Sequence, residues 1–251
     1  MNQNLFVLTG ASRGMGLALA QILLVPGNTL LCMSRKTNES LALLAGSQGA
    51  TLVQWSQDLA LGARAGARLE QWLREQTSSD FVSATLINNA SMLARIGPLS
   101  EADADDLSRV LRVGLEAPMQ LTSAFLRATH NWKAVRKVLN ISSGLGRRAM
   151  AAQAGYCAAK AGLDHFTRCV ALDEALKING AKVCSLAPGV IDTDMQIQLR
   201  SADAESFADR ASFVQLKETG LLATPGQAAQ NVLNYVARRD FGAEPVADVR
   251  G

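Results

Sequence analysis

Leu5-Phe6-Val7-Leu8-Thr9-Gly10-Ala11-Ser12-Arg13-Gly14-Met15-Gly16-Leu17-Ala18-Leu19-Ala20 carries three different patterns in sixteen residues. A short apolar run gives way to a glycine-spaced turn, and the turn to an alanine- and leucine-rich helical pattern. A strand that feeds a helix through so short a turn is the first half of a β-α-β unit. Gly10 permits the tight turn, Gly14 lets backbone approach a bound phosphate, and Gly16 allows the helix to pack closely. The free N–H groups at the helix start then face an anion.

Working outward, the same alternation continues along the chain. Strands are expected at 4–9, 28–33, 51–56, 84–88, 136–141 and 182–187, with helices near 14–25, 38–46, 62–76, 102–129 and 154–178. This rhythm predicts an α/β fold in one domain, a doubly wound and mainly parallel sheet covered by helices on both faces. In such a sheet a ligand sits beyond the carboxyl ends of the strands. Residues 195–224 interrupt the rhythm with polar, broken helical patterns. Their place just after the last expected strand suits a lid over the site.

The 251 residues suffice for one full core and not comfortably for two. A net charge of +3, with the basic residues scattered, argues against nucleic acid or a membrane surface as the partner. A strand begins within five residues of Met1, which leaves no room for a signal peptide, and a cytoplasmic location is expected. Cys32, Cys157, Cys169 and Cys184 lack any Cys-x-x-Cys pair and read as reduced core thiols. With only His130 and His165, no metal site is expected.

Cofactor choice follows from the end of the second strand. Where an acid would hold the ribose hydroxyl of NAD, this chain has Ser34-Arg35-Lys36. No carboxylate there repels a 2′-phosphate, and Arg13 and Arg35 offer planar forks to it, so NADP(H) is expected.

Chemistry is expected further along. Tyr156 and Lys160 are one helical turn apart, thirteen residues after Ser143. Reduction of a carbonyl needs a proton on its oxygen, which a tyrosine hydroxyl can give. A nearby lysine charge favours the phenolate, against an unperturbed pKa of roughly 10. Ser143 would donate to the developing oxyanion. Ser142 is the neighbouring alternative.

The Thr-Gly-x-x-x-Gly-x-Gly turn, Asn88-Asn89-Ala90, Ser143, Tyr156-x-x-x-Lys160 and Pro188-Gly189-x-x-x-Thr193 together resemble the short-chain dehydrogenase/reductase family over nearly the whole chain. The resemblance implies a Rossmann-type fold, with Gly10, Ser12, Arg13, Gly14, Met15 and Gly16 around the pyrophosphate. It implies Asp58 and Leu59 at the adenine, and Asn89 and Ala90 beside the cofactor. Pro188, Gly189, Ile191 and Thr193 would lie against the nicotinamide, with Tyr156 and Lys160 contacting the cofactor as well. A homodimer or homotetramer, paired through the long helices 102–129 and 154–178, is implied too.

Two positions depart from the family pattern. Ser91 stands where the Asn-Asn-Ala signature usually ends in glycine. Gly114, in Val113-Gly114-Leu115-Glu116-Ala117-Pro118, stands where an asparagine usually holds a water beside the lysine, so an altered proton relay is expected.

Within the family, Tyr156-Cys157-Ala-Ala-Lys160, Ala187 to Met195 and Leu216 to Leu222 look most like the sepiapterin reductases. The activity implied is NADPH-dependent reduction of a pterin side-chain ketone, with reduction of benzil or another vicinal diketone as the alternative. A carboxylate near the C-terminus would hold the pterin, and Asp248 falls there. Ser143, Tyr156 and Met195 would touch the substrate, with Leu145 and Met150 as further apolar lining. A different class of reading is a non-catalytic NADP(H)-binding sensor with Gly114 as its lesion.

Overall fold

The structure, a computed structural model, describes residues 3–250. Its strands are β1 (Gln3–Thr9), β2 (Asn28–Ser34), β3 (Thr51–Ser56), β4 (Phe81–Asn88), β5 (Val135–Ile141), β6 (Lys182–Ala187) and β7 (Val246–Asp248). They form one sheet in the order β3-β2-β1-β4-β5-β6-β7, and every adjacent pair is parallel. The helices are α1 (Gly14–Leu23), α2 (Glu39–Gln48), α3 (Gly62–Arg74), α4 (Ala104–Leu111), α5 (Ala117–Ala128), α6 (Ala154–Ala175), α7 (Asp194–Arg200), α8 (Arg210–Glu218) and α9 (Pro225–Ala237).

Period-two alternation along each strand divides the apolar residues between two faces. Leu8, Leu30, Cys32, Ile87, Leu139 and Leu186 pack with Leu19 and Leu23 of α1 and Val232 and Val236 of α9. Leu5, Val7, Leu31, Met33, Leu86 and Val138 pack with Leu69 and Leu73 of α3 and Leu121 and Phe125 of α5. Because both faces are covered, β2 reads as the unbroken run Leu30-Leu31-Cys32-Met33. The chain moves outward from β1 to β3 and returns to β4. Its order therefore reverses between β1 and β4, which opens a crevice at their carboxyl ends.

Three features depart from the sequence expectation. The helix expected over 102–129 is divided into α4, a π turn at Arg112–Glu116 and α5. Pro118 has no N–H to reach the carbonyl of Gly114 four residues back, so the ladder widens there. Helix α9 and strand β7 were not foreseen. The start of α9 was legible, because Thr224 and Gln227 form a reciprocal capping box with Pro225 in the first turn. The cysteines also divide: Cys32 and Cys184 are buried, Cys157 is half-buried and Cys169 is exposed. Burial pushes the Cys32 thiol up to about 12 and the Cys184 thiol up to about 11.

The segment 195–224 contains most of α7 and all of α8. A bridge between Ile191 and Ala223 closes its base, where Asp192 accepts Lys217 at 2.5 Å and Arg200 lies 3.6 Å away. From there Leu199, Phe207 and Phe213 pack against Leu93, Ile96 and Tyr156.

The turn after β1 allows a direct test of packing. A Cβ on Gly16 would lie 2.1 Å from the Gly10 carbonyl oxygen, whereas one on Gly46 in α2 would meet nothing within 4 Å. Gly16→Ala is expected to lower the melting temperature by roughly 4–10 °C, from overpacking of about 1–3 kcal/mol. Gly46→Ala should instead raise it by roughly 2–4 °C, through the helix preference for alanine. A Gly16→Ala protein that melts with the parent would refute this packing.

Candidate active site

Thr9 and Asn89 lock the ends of β1 and β4 together. Thr9 Oγ1 accepts from the backbone N–H of Asn89 at 2.9 Å and of Ala90 at 3.0 Å, and Asn89 Nδ2 donates to the Thr9 carbonyl at 2.9 Å. Gly10 and Gly14 take φ of 73° and 55°, where a side chain would be strained. Helix α1 then begins without a side-chain cap at its N-terminus and without an acid in its first turn. Its N–H groups and dipole are left for an anion.

These elements border a cavity of about 640 Å³. Every residue expected at the site lines it except Asp248. At one end Ser34 is buried and its hydroxyl has no partner, with exposed Arg35 beside it. Asp58 caps a short turn through the N–H of Ala60 at 2.9 Å and lies 3.9 Å from Arg109, another lining residue. Arg13 is not free: Asp194 at the start of α7 holds it at 2.6 Å across the cavity mouth. An uncapped helix start, a turn whose Gly10 and Gly14 carry no side chain at positive φ, and an orphaned hydroxyl at Ser34 together fit a dinucleotide.

At the other end, Tyr156, Lys160 and Asp164 follow one another at four-residue intervals on one face of α6. Tyr156 is 8% exposed and Lys160 2%. Lys160 donates to the Ile141 carbonyl at 2.7 Å and lies 5.6 Å from the centre of the Tyr156 ring. Burial pushes the Tyr156 phenol up to about 12, against the pull of the Ser143 hydroxyl. Loss of solvent thus governs the Tyr156 phenol, in place of the lowering expected from Lys160. Burial likewise brings the Lys160 ammonium down to about 8, with Asp164 acting in the opposite sense.

Adjacent serines have separate partners. Ser142 donates to Asp164 Oδ1 at 2.5 Å, and Ser185 of β6 donates to the same oxygen at 2.6 Å. Ser143 accepts from the Leu145 N–H at 3.2 Å and stands beside Tyr156 on the cavity wall. Asp164, 1% exposed, also has Arg147 Nε at 3.6 Å from its other oxygen. It thus fastens the strand end that bears Ser143 to the helix that bears Tyr156.

Gly114 is buried inside the π turn. A Cβ there would lie 3.2 Å from Ala159 Cβ and 3.9 Å from Ser91 Oγ. The two departures from the family pattern therefore face each other next to Lys160.

Asp248 lies on β7, where the Arg250 side chain grips it at 2.8 and 2.7 Å. It is Arg250 that reaches the cavity. The expected pterin-anchoring carboxylate is consumed by its near neighbour in the chain. Leu93, Gln153, Gln196, Leu199 and Phe213 line the cavity without having been singled out in the sequence. Leu199 and Phe213 were signalled by being apolar within a polar stretch, and Gln153 by standing one turn before Tyr156. Nothing local marked Leu93.

Benzil reductase ((S)-benzoin forming) of Bacillus cereus is 34% identical over 235 residues, covering 94% of each chain. Sepiapterin reductase of Mus musculus is 33% identical over 246 residues, covering 94% of this chain and 92% of that one. Among solved structures, a short-chain dehydrogenase/reductase from Burkholderia vietnamiensis is 33% identical, with a TM-score of 0.66 over 99% of this chain and 98% of that one. The family model for short chain dehydrogenases matches residues 4–204. That stretch holds both the glycine turn and the Tyr156–Lys160 pair, and the chain belongs to the short-chain dehydrogenases, a family of oxidoreductases that bind nicotinamide cofactors.

Proposed function

We propose that the protein is an NADPH-dependent carbonyl reductase acting on vicinal diketones with apolar flanks, of which benzil is the type. The observation that carries this reading is the join of two unlike ends in one cavity. A dinucleotide cradle meets an apolar wall of Leu93, Leu145, Met150, Met195, Leu199 and Phe213, with Ser143, Tyr156 and Lys160 between them. The benzil reductase relatives support the same substrate class. The capture of Asp248 by Arg250 weighs against the pterin reading, which the sepiapterin reductase relatives otherwise favour.

When bound, NADPH supplies the hydride. Ser34 and Arg35 hold its 2′-phosphate, and the start of α1 holds the pyrophosphate. Ser143 donates a hydrogen bond to the carbonyl oxygen, and Tyr156 gives that oxygen its proton. Lys160 offsets the negative charge left on the phenol. A phenol with a pKa near 12 stays protonated at neutral pH, which suits reduction. Helices α7 and α8 serve as a lid whose Leu199 and Phe213 shield the reacting carbon from water. Exposed Met119 on α5 and Leu172 on α6 supply apolar contacts for a homodimer or homotetramer. No helix among the described residues is long and apolar enough to cross a membrane.

The first test is NADPH oxidation with benzil and sepiapterin side by side. Consumption is expected with benzil, and no consumption with either, despite tight NADPH binding, would point to a sensor. Tyr156→Phe should lower turnover by about 10²–10⁴-fold while NADPH still binds; full activity would remove Tyr156 from proton transfer. Lys160 is cationic below its pKa of about 8 and loses that charge as pH rises through it. The reduction rate should therefore fall above pH 8, and a flat profile to pH 10 would contradict the role given to its charge. Arg35→Asp is expected to shift the NADPH-to-NADH ratio of kcat/KM by about 10–100-fold towards NADH. An unchanged ratio would disprove the 2′-phosphate assignment.

A further inference from the structure

Two side-chain amides on the cavity wall are buried and incompletely satisfied. Gln153 is 4% exposed and its Nε2 has no partner, while Gln196 is 7% exposed and its Oε1 has none. Both line the cavity that holds Ser143 and Tyr156. A buried amide without its hydrogen bonds is costly, so its presence calls for a partner that arrives with a ligand.

Gln153 is the better placed of the two. It is the N-cap residue of α6, and its carbonyl accepts from the Cys157 N–H at 2.9 Å. It stands three residues before Tyr156, which brings the two side chains to one side of the helix start. The preceding Ala152 takes a φ of 61°, the one non-glycine residue with positive φ among the described residues. That strained backbone fixes how the chain enters α6 and so where Gln153 is presented. An NH2 group matches a ketone oxygen.

We propose that Gln153 is a substrate-binding residue whose side-chain NH2 donates to the second carbonyl oxygen of a vicinal dicarbonyl, while Ser143 and Tyr156 hold the first. The assignment rests on the diketone reductase reading above. Adjacent carbonyls present two acceptor oxygens within a few ångströms, so one dry pocket can engage both. Leu145, Met150 and Phe213 nearby have no donor to offer the second oxygen. The half-turn that exchanges the two ends of an amide lets Gln153 aim its NH2 at the ligand without moving its backbone. A ketone with a single carbonyl leaves that NH2 unpaired in the closed site. Gln153 therefore selects for diketones rather than for ketones in general.

The test compares benzil with deoxybenzoin, which keeps both phenyl rings and replaces one carbonyl by a methylene. kcat/KM is measured for each with NADPH on the parent enzyme, Gln153→Met and Gln153→Glu. Gln153→Glu keeps the size of the side chain and removes its donor. NADPH fluorescence titration verifies that each variant is folded. Both variants are expected to lose about 10–100-fold with benzil, and at least ~10-fold less than that with deoxybenzoin. Equal losses on the two ketones, or no loss on benzil, would overturn the assignment while leaving the reductase reading intact. A parent enzyme that reduces deoxybenzoin and not benzil, or neither, would instead defeat the diketone reading itself, and this assignment with it.

Discussion

Thr9 Oγ1 accepts two backbone N–H groups from β4's end, and Asn89 returns a side-chain hydrogen bond to the carbonyl of Thr9. This reciprocal clasp sits where the strand order reverses, at the point where the sheet would otherwise be free to splay. With it in place, Gly10 packs against Ala90 and Gly16 against Gly10. The glycine turn is then held in one conformation without help from a ligand. Burial makes the clasp strong, since Thr9 is shielded from competing water. The start of α1 is thereby set against the end of β4.

A second buried arrangement governs the chemical end. Tyr156, Lys160 and Asp164 share one helix face in a region nearly closed to solvent, where a charge is expensive unless it has partners. Tyr156 responds by holding its proton more tightly, and Lys160 by holding its proton less tightly. Asp164 stabilises the lysine cation and also fixes Ser142 and Ser185. One carboxylate thus joins α6, β5 and β6 beneath the site, so the position of Ser143 and the charge of Lys160 have a common support.

Much of this was legible in the sequence because the information was local. A glycine turn between strand and helix, continuous apolar strands and a Tyr-Lys pair at helical spacing each need only a few neighbouring residues to be read. The missing parts are those that local pattern does not encode. The three-residue strand β7 is held by pairing with β6 more than by any apolar run of its own. The cavity wall includes Leu93, Gln153 and Phe213, which lie far apart in the chain. Asp248 had the right charge in the right tail, but Arg250 claims it from two residues away. The helix expected over 102–129 was broken by a proline whose missing N–H acts one turn upstream, at Gly114.

That same π turn constrains how the sequence can change. Gly114 faces Ala159 closely and Ser91 more loosely, so the three positions share one small volume. An asparagine introduced at 114 alone would press on Ala159 and, through it, on the turn that presents Lys160. A glycine introduced at 91 alone would remove the hydroxyl that faces Gly114 and widen the cavity there. The effect of either change thus depends on the other, as it does for residues in contact. A substitution at either position is therefore also a change in the surroundings of the other, and of the helix turn that carries Lys160.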